Sequence, residues 1–288
     1  MINRYILGIF AALSSCAHQN AGPPPGPVSF TIGNPYQAGG EWRYPRDYNS
    51  YDVTGLSTVI GPNAPAYTAD NEAYDADALA AASPVLQLPC IVTITNLVNG
   101  HAVEVRVNGR GPDIPGRIIA VTPRVAKLLD YPRGGVVEVE VKLNTTATAA
   151  LDSALGQGPK MTAAPEAGIT AQSLGPPGSA AAGGTQNLTP AAVSSSAAPA
   201  VQLNGEISVS APSPGPLFVQ IPGFGRPWDA HQAAQRLGGM PTRIVPEFGG
   251  DRTLYAVNIG PYHSVADADA ALKQVLDQGV PDPEIIVR

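Results

Sequence analysis

Few side chains in this sequence are placed to move protons or attack a bond. Asp113 follows Asn108-Gly109-Arg110-Gly111-Pro112, a loop whose glycines and proline stop the strand before it. Loops at strand ends are where sites tend to lie, and a carboxyl there could give and take back a proton. Joined by Ser83 and His101, Asp113 could complete a nucleophile, base and orienting acid. His101 stands beside Gly100 at a hairpin tip, however, where an exposed histidine is the plain expectation. The 4 histidines are scattered and Cys90 is alone among them, so no metal-ligand spacing arises and neither a metal nor a cofactor is expected. Cys90 opens an apolar run with Ile91 and Val92, the setting of a buried, unreactive thiol.

The elements that would carry these residues are mostly short strands. Ile91 to Thr95 is β-branched throughout, and Ala102 to Val107 alternates Val103, Val105 and Val107 with Glu104 and Arg106. Asn99-Gly100 between them accepts positive φ, so the pair reads as a β-hairpin. Arg117 to Val121 is a further strand, and Thr122-Pro123 offers an N-cap and first-turn proline to a short helix bearing Val125, Leu128 and Leu129. Val136 to Leu143 alternates strictly, as a half-buried strand does. Asp75 to Ser83 is Ala-rich and stopped by Pro84, which predicts a two-turn helix. Ahead of these, Trp42, Tyr44, Tyr48 and Tyr51 form either a sugar-stacking surface or an aromatic strap packed over the strands.

Composition divides the chain. With 31 Gly, 30 Pro and only 14% charged residues in 288, part of it is not expected to pack into a core. The net charge of −6 and the lack of any Lys/Arg cluster argue against nucleic acid or anionic headgroups as partners. From 144 to 215 the sequence is almost wholly Ala, Ser, Thr, Pro and Gly, and a disordered linker of about 45–50 Å mean span is expected there. From 216 to 288 the order strand, helix, strand, strand, helix, strand predicts a small α+β ferredoxin-like unit. Ser264 to Asp267 resembles a capping box opening its second helix.

Two resemblances give these parts a context. Thr95-Asn96-Leu97-Val98-Asn99-Gly100 to Val105-Arg106-Val107-Asn108-Gly109-Arg110-Gly111-Pro112 resembles the signature of the rare lipoprotein A family, lytic transglycosylases with a double-psi β-barrel. Tyr67 to Asp75 is similar to that family's TANGExFD segment. The resemblance implies a six-stranded barrel over 29–143 and three site positions. These are Glu72, which is retained, Ser83 where a histidine is usual, and Gly109 where an aspartate is usual. Asp113 is then the nearest substitute acid, four residues on from Gly109. Val219-Gln220-Ile221 and Leu254 to Tyr262 resemble the SPOR domain, which implies binding of peptidoglycan glycan strands that lack stem peptides. Strand alternation places Phe218, Gln220, Ala256 and Asn258 on its open sheet face; the resemblance implies Phe218, Gln220 and Asn258 as glycan contacts, with Ala256 where an arginine is common.

The N-terminus suggests the compartment. Arg4, the apolar run Ile6 to Leu13, and Leu13-Ser14-Ser15-Cys16 read as a signal peptide over 1–15 ending in a bacterial lipobox. The alternative is a soluble secretory signal with an incidental cysteine. In the first reading Cys16 is acylated and held in a lipid bilayer, residues 16–28 are a proline-rich tether, and Ala17 favours the outer membrane, facing the periplasm. Division-machinery proteins at the septum are the further expected partners. Two function classes follow: a lytic transglycosylase, or a non-catalytic wall-binding lipoprotein with the same parts.

Overall fold

A computed structural model describes residues 27–155, 203–249 and 252–288. Cys16, the signal segment and most of the tether lie outside the described residues, as does 156–202 of the expected linker.

A two-stranded hairpin, β1 (Tyr36–Ala38) and β2 (Glu41–Arg43), precedes the long strand β3 (Asp52–Val59). Then come β4 (Ala80–Ala82), β5 (Cys90–Asn96), β6 (His101–Gly109) and β7 (Arg117–Val121). Helix α1 (Pro123–Leu128) leads into β8 (Val137–Leu143). Strands pair in the order β4-β7-β3-β8-β5-β6, and β4 pairs with β6 to close the barrel. The parallel pairs β3 with β7 and β4 with β6 are set among antiparallel neighbours. Alternation fills the interior as the sequence predicts: Val92 and Ile94, Val103, Val105 and Val107, and Val137, Val139 and Val141 are buried together. Thr122 caps α1 by accepting from the Val125 amide.

Three local expectations are corrected. The stretch from Asp75 to Ser83 is not a helix. Asp75 turns the chain by accepting from the Asp77 amide, and Ala80–Ala82 is a strand buried between β6 and β7. Pairing on both edges and burial of all three alanines override the helix preference of alanine. The β5–β6 connection spans Leu97 to Gly100, and of Asn99 and Gly100 only Gly100 has positive φ, at 77°. The expected linker begins with helix α2 (Thr145–Ala154), capped by Asn144. Thr148 and Leu151 bury against the barrel, with Thr148 Oγ1 accepting from the Ile91 amide at 3.0 Å. The chain returns as β9 (Ser208–Val209), which pairs with His101 and Ala102 at the free edge of β6.

The last unit comprises β10 (Leu217–Phe224), α3 (Pro227–Arg236), β11 (Thr242–Gly249), β12 (Arg252–Tyr262), α4 (Val265–Asp277) and β13 (Glu284–Val287). Its sheet order is β11-β12-β10-β13, all antiparallel, the ferredoxin-like arrangement expected. Leu217, Val219, Ile221, Val257 and Ile259 pack beneath the helices with Ala268, Leu272 and Val275. Ser264 accepts from the Asp267 amide and donates to its carboxylate, the cap the sequence suggests.

This unit sits on the barrel. Thr54 donates to the Val287 carbonyl at 2.7 Å, and buried Arg117 makes a bidentate pair with Asp269 at 2.7 and 2.8 Å. Leu56 of β3 belongs to the second unit's core. Gly116 makes the approach possible: a Cβ there would lie 2.7 Å from Leu272 and 2.8 Å from Ile285.

Candidate functional site

A cleft of about 590 Å³ opens where β4, the end of β6 and the loop at Thr68–Asp75 converge. Glu72, Asn108, Gly109 and Asp113 line it. The loop that presents Glu72 is fixed by its own short-range bonds: Thr68 donates to Asp70 at 2.6 Å and accepts from the Glu72 amide at 3.0 Å. Asn71 takes φ 72°, a left-handed conformation that asparagine tolerates better than most residues. The Asp70 amide reaches the Asn108 carbonyl at 3.4 Å, tying loop to strand.

Glu72 is held from both sides. One carboxylate oxygen accepts from Asn108 at 2.7 Å and the other pairs with the Arg106 guanidinium. Behind it lies Asp70, fully buried, its second oxygen 3.7 Å from Arg106 and without a hydrogen bond. Burial pushes the Asp70 carboxyl above its usual range, against the hydrogen bond from Thr68 and the charge of Arg106. Asp70, Arg106 and Asn108 are the site residues that sequence reasoning passed over. The signal for the last two was their shared outward face on β6, two residues apart; for Asp70 it was an acid in a motif where the resembling family has asparagine.

The other expected residues fall differently. Gly109 lies in the wall of the cleft with no side chain; a Cβ added there would meet the Ala82 Cβ at 3.0 Å. Ser83 is beside it, its amide donating to the Gly109 carbonyl at 3.0 Å, but its hydroxyl caps a turn by accepting from the Val85 and Leu86 amides. Asp113 is exposed at the mouth. His101 begins β6 and Gly109 ends it, so eight strand steps, roughly 26 Å, separate them. The structure therefore does not bring Ser83, His101 and Asp113 together. Arg110 staples the chain: its guanidinium, largely desolvated, donates to the Ile32, Ser83 and Leu86 carbonyls. Cys90 is buried in the core, and burial pushes its thiol well up. Among the described residues no group of at least 3 His, Cys, Asp or Glu side chains is placed to hold a metal ion.

On the second unit, Gln220 and Asn258 lie on the face opposite the helices, as alternation requires, but they are not exposed. They are 5% and 3% accessible, and the Gln220 amide donates to Asn258 at 2.8 Å. Register explains this: Arg243, Asn258, Gln220 and Glu284 form one row across the four strands, so the amides are flanked by the long side chains of the outer strands. Ala256 is buried in the same face and Phe218 is half-buried.

Comparison with known proteins agrees with this division. A family model described as lytic transglycolase matches residues 55–141, and one described as SPOR domain matches residues 213–286. The endolytic peptidoglycan transglycosylase RlpA of Pseudomonas aeruginosa strain PAO1 is 29% identical over 265 residues, covering 88% of this chain and 76% of the relative. Its namesake from Yersinia pestis is 34% identical over 116 residues, 40% of this chain and 32% of that protein. The one from Helicobacter pylori strain J99 is 33% identical over 110 residues, 38% and 35% respectively. The chain thus joins a lytic transglycolase domain to a SPOR domain and resembles these transglycosylases, in one case over most of its length.

Proposed function

We propose that this chain is a peptidoglycan-binding protein of the lytic transglycosylase type whose barrel takes glycan strands but cleaves them slowly. Cleavage requires one acid to protonate the leaving glycosidic oxygen and, as its conjugate base, to accept the proton of the sugar 6-hydroxyl that attacks the anomeric carbon. The observation that carries the reading is the cleft wall at Gly109, which offers no proton where the resembling family has its aspartate, while Glu72 beside it is paired with Asn108 and Arg106. Glu72 and Asn108 remain suited to orienting a sugar hydroxyl. Asp113, at the mouth, is the residue left to supply what acid catalysis there is.

A second reading, a protein that binds the wall without any cleavage, is favoured by Ser83, whose hydroxyl is committed to capping a turn. In either case the SPOR domain is the part that selects strands stripped of stem peptides. Cys16, acylated after release of residues 1–15, is the anchor, in the outer membrane and facing the periplasm, with the septum and its division proteins as the place of work. The test of wall binding is a pull-down of the full chain with intact and amidase-treated sacculi. Enrichment on the treated sacculi is expected; equal recovery on both would contradict it. Cys16→Ser protein should leave the membrane fraction, and its retention there with normal signal processing would refute the anchor.

A further inference from the structure

A second cleft, of about 970 Å³, lies between the two units, and its walls differ in chemistry. On the barrel side are Trp42 and Tyr44, 53% and 54% exposed, with Tyr48 behind them. Tyr48 and Tyr51 stack edge to face at 5.0 Å and close over the barrel core, whereas Trp42 and Tyr44 leave their rings to solvent. On the SPOR side the wall presents Glu247, Glu284 and Arg288, hydrogen-bonding groups beside the buried Gln220–Asn258 pair. Flat apolar rings opposite carboxylate and guanidinium groups match a pyranose, whose C–H face is apolar and whose rim is polar. The volume is at the upper end for small-molecule clefts, room for more than one sugar ring.

We infer that this interdomain cleft is a second glycan site, in which Trp42 and Tyr44 of the barrel and Glu247, Glu284 and Arg288 of the SPOR unit grip one strand of N-acetylated amino sugars. It rests on the wall-binding reading above and adds to it that the SPOR face does not bind alone. The mating of the units through Thr54, Leu56 and Arg117 fixes the separation of the two walls, so the site exists only while they are docked.

The chain has 2 tryptophans, so in a Trp228→Phe background the emission reports Trp42. The probe is a peptide-free tetrasaccharide of alternating N-acetylglucosamine and N-acetylmuramic acid, titrated into the full chain and followed by fluorescence and calorimetry. A saturable blue shift is expected. Tyr44→Ala in that background, and Trp42→Ala measured by calorimetry, should each weaken binding fivefold or more; as exposed residues, neither holds the fold. Glu284→Ala should weaken it from the other wall, and Lys127→Ala, exposed on α1 and outside both clefts, should leave the Trp42 signal in place. Calorimetric binding with no Trp42 shift and with wild-type affinity in Trp42→Ala would overturn the shared site while leaving wall binding standing. If the tetrasaccharide and amidase-treated sacculi both fail to bind, the wall-binding reading falls with it.

Discussion

At the scale of single residues, the barrel cleft keeps a positioned carboxylate, Glu72, while Gly109 and Ser83 stand where the resembling family has aspartate and histidine. Asp70 introduces a linkage of its own. Its folded-state carboxyl is raised by burial, so across the interval between the unfolded and folded values the folded chain holds a proton that the unfolded chain has shed. Stability from this group is therefore greatest below the interval, falls as pH rises through it, and is level above. Asp70→Asn removes that loss. Thermal midpoints measured between pH 4 and 8 should show the variant gaining on the parent as pH rises; a constant difference would place the ionisation elsewhere. Gly109→Asp is expected to cost some stability, because its Cβ meets Ala82 at 3.0 Å and the neighbour must give by a few tenths of an ångström. That cost should appear as a lowered unfolding midpoint, and Ala82→Gly beside it should recover part.

At the scale of elements, the sequence was legible wherever side-chain period and turn chemistry coincide. The alternating valines of β5, β6 and β8, the Thr122 and Ser264 caps and the order of the SPOR elements are of that kind. It was not legible where backbone or context decides. Ala80–Ala82 is a strand because two neighbours bury it, and β9 is held by main-chain pairing, which leaves no period to read. Helix α2 shows only two buried positions, Thr148 and Leu151, in an Ala-rich run that composition alone assigns to a linker. Thr148→Val should leave the buried Ile91 amide without its acceptor and cost about 1–3 kcal/mol, measured by urea unfolding. No change would mean that α2 does not dock on β5. In the candidate site, Glu72 and Gly109 were legible only through a family resemblance, and the Arg106–Asn108 support only through the fold.

At the scale of the whole molecule, the SPOR unit and the barrel are expected to act as one body. A protease site placed within 156–202 should, once cut, leave fragments that co-elute; Asp269→Lys, which sets a cation against Arg117, should separate them. Docking brings the SPOR sheet to a fixed place beside the barrel, which suits the proposed role of holding stripped strands and cutting them rarely. The central claim, slow cleavage with retained binding, is tested most directly by counting new ends. The full chain is incubated with amidase-stripped glycan strands, and 1,6-anhydro-muramyl ends are measured by mass spectrometry beside the Gly109→Asp, Ser83→His double variant. Restoring an acid and its helper is expected to raise the rate on the order of 10²-fold or more. If the unaltered chain makes anhydro ends as fast as the double variant, and Asp113→Asn abolishes them, a relocated acid does full work and the claim is contradicted.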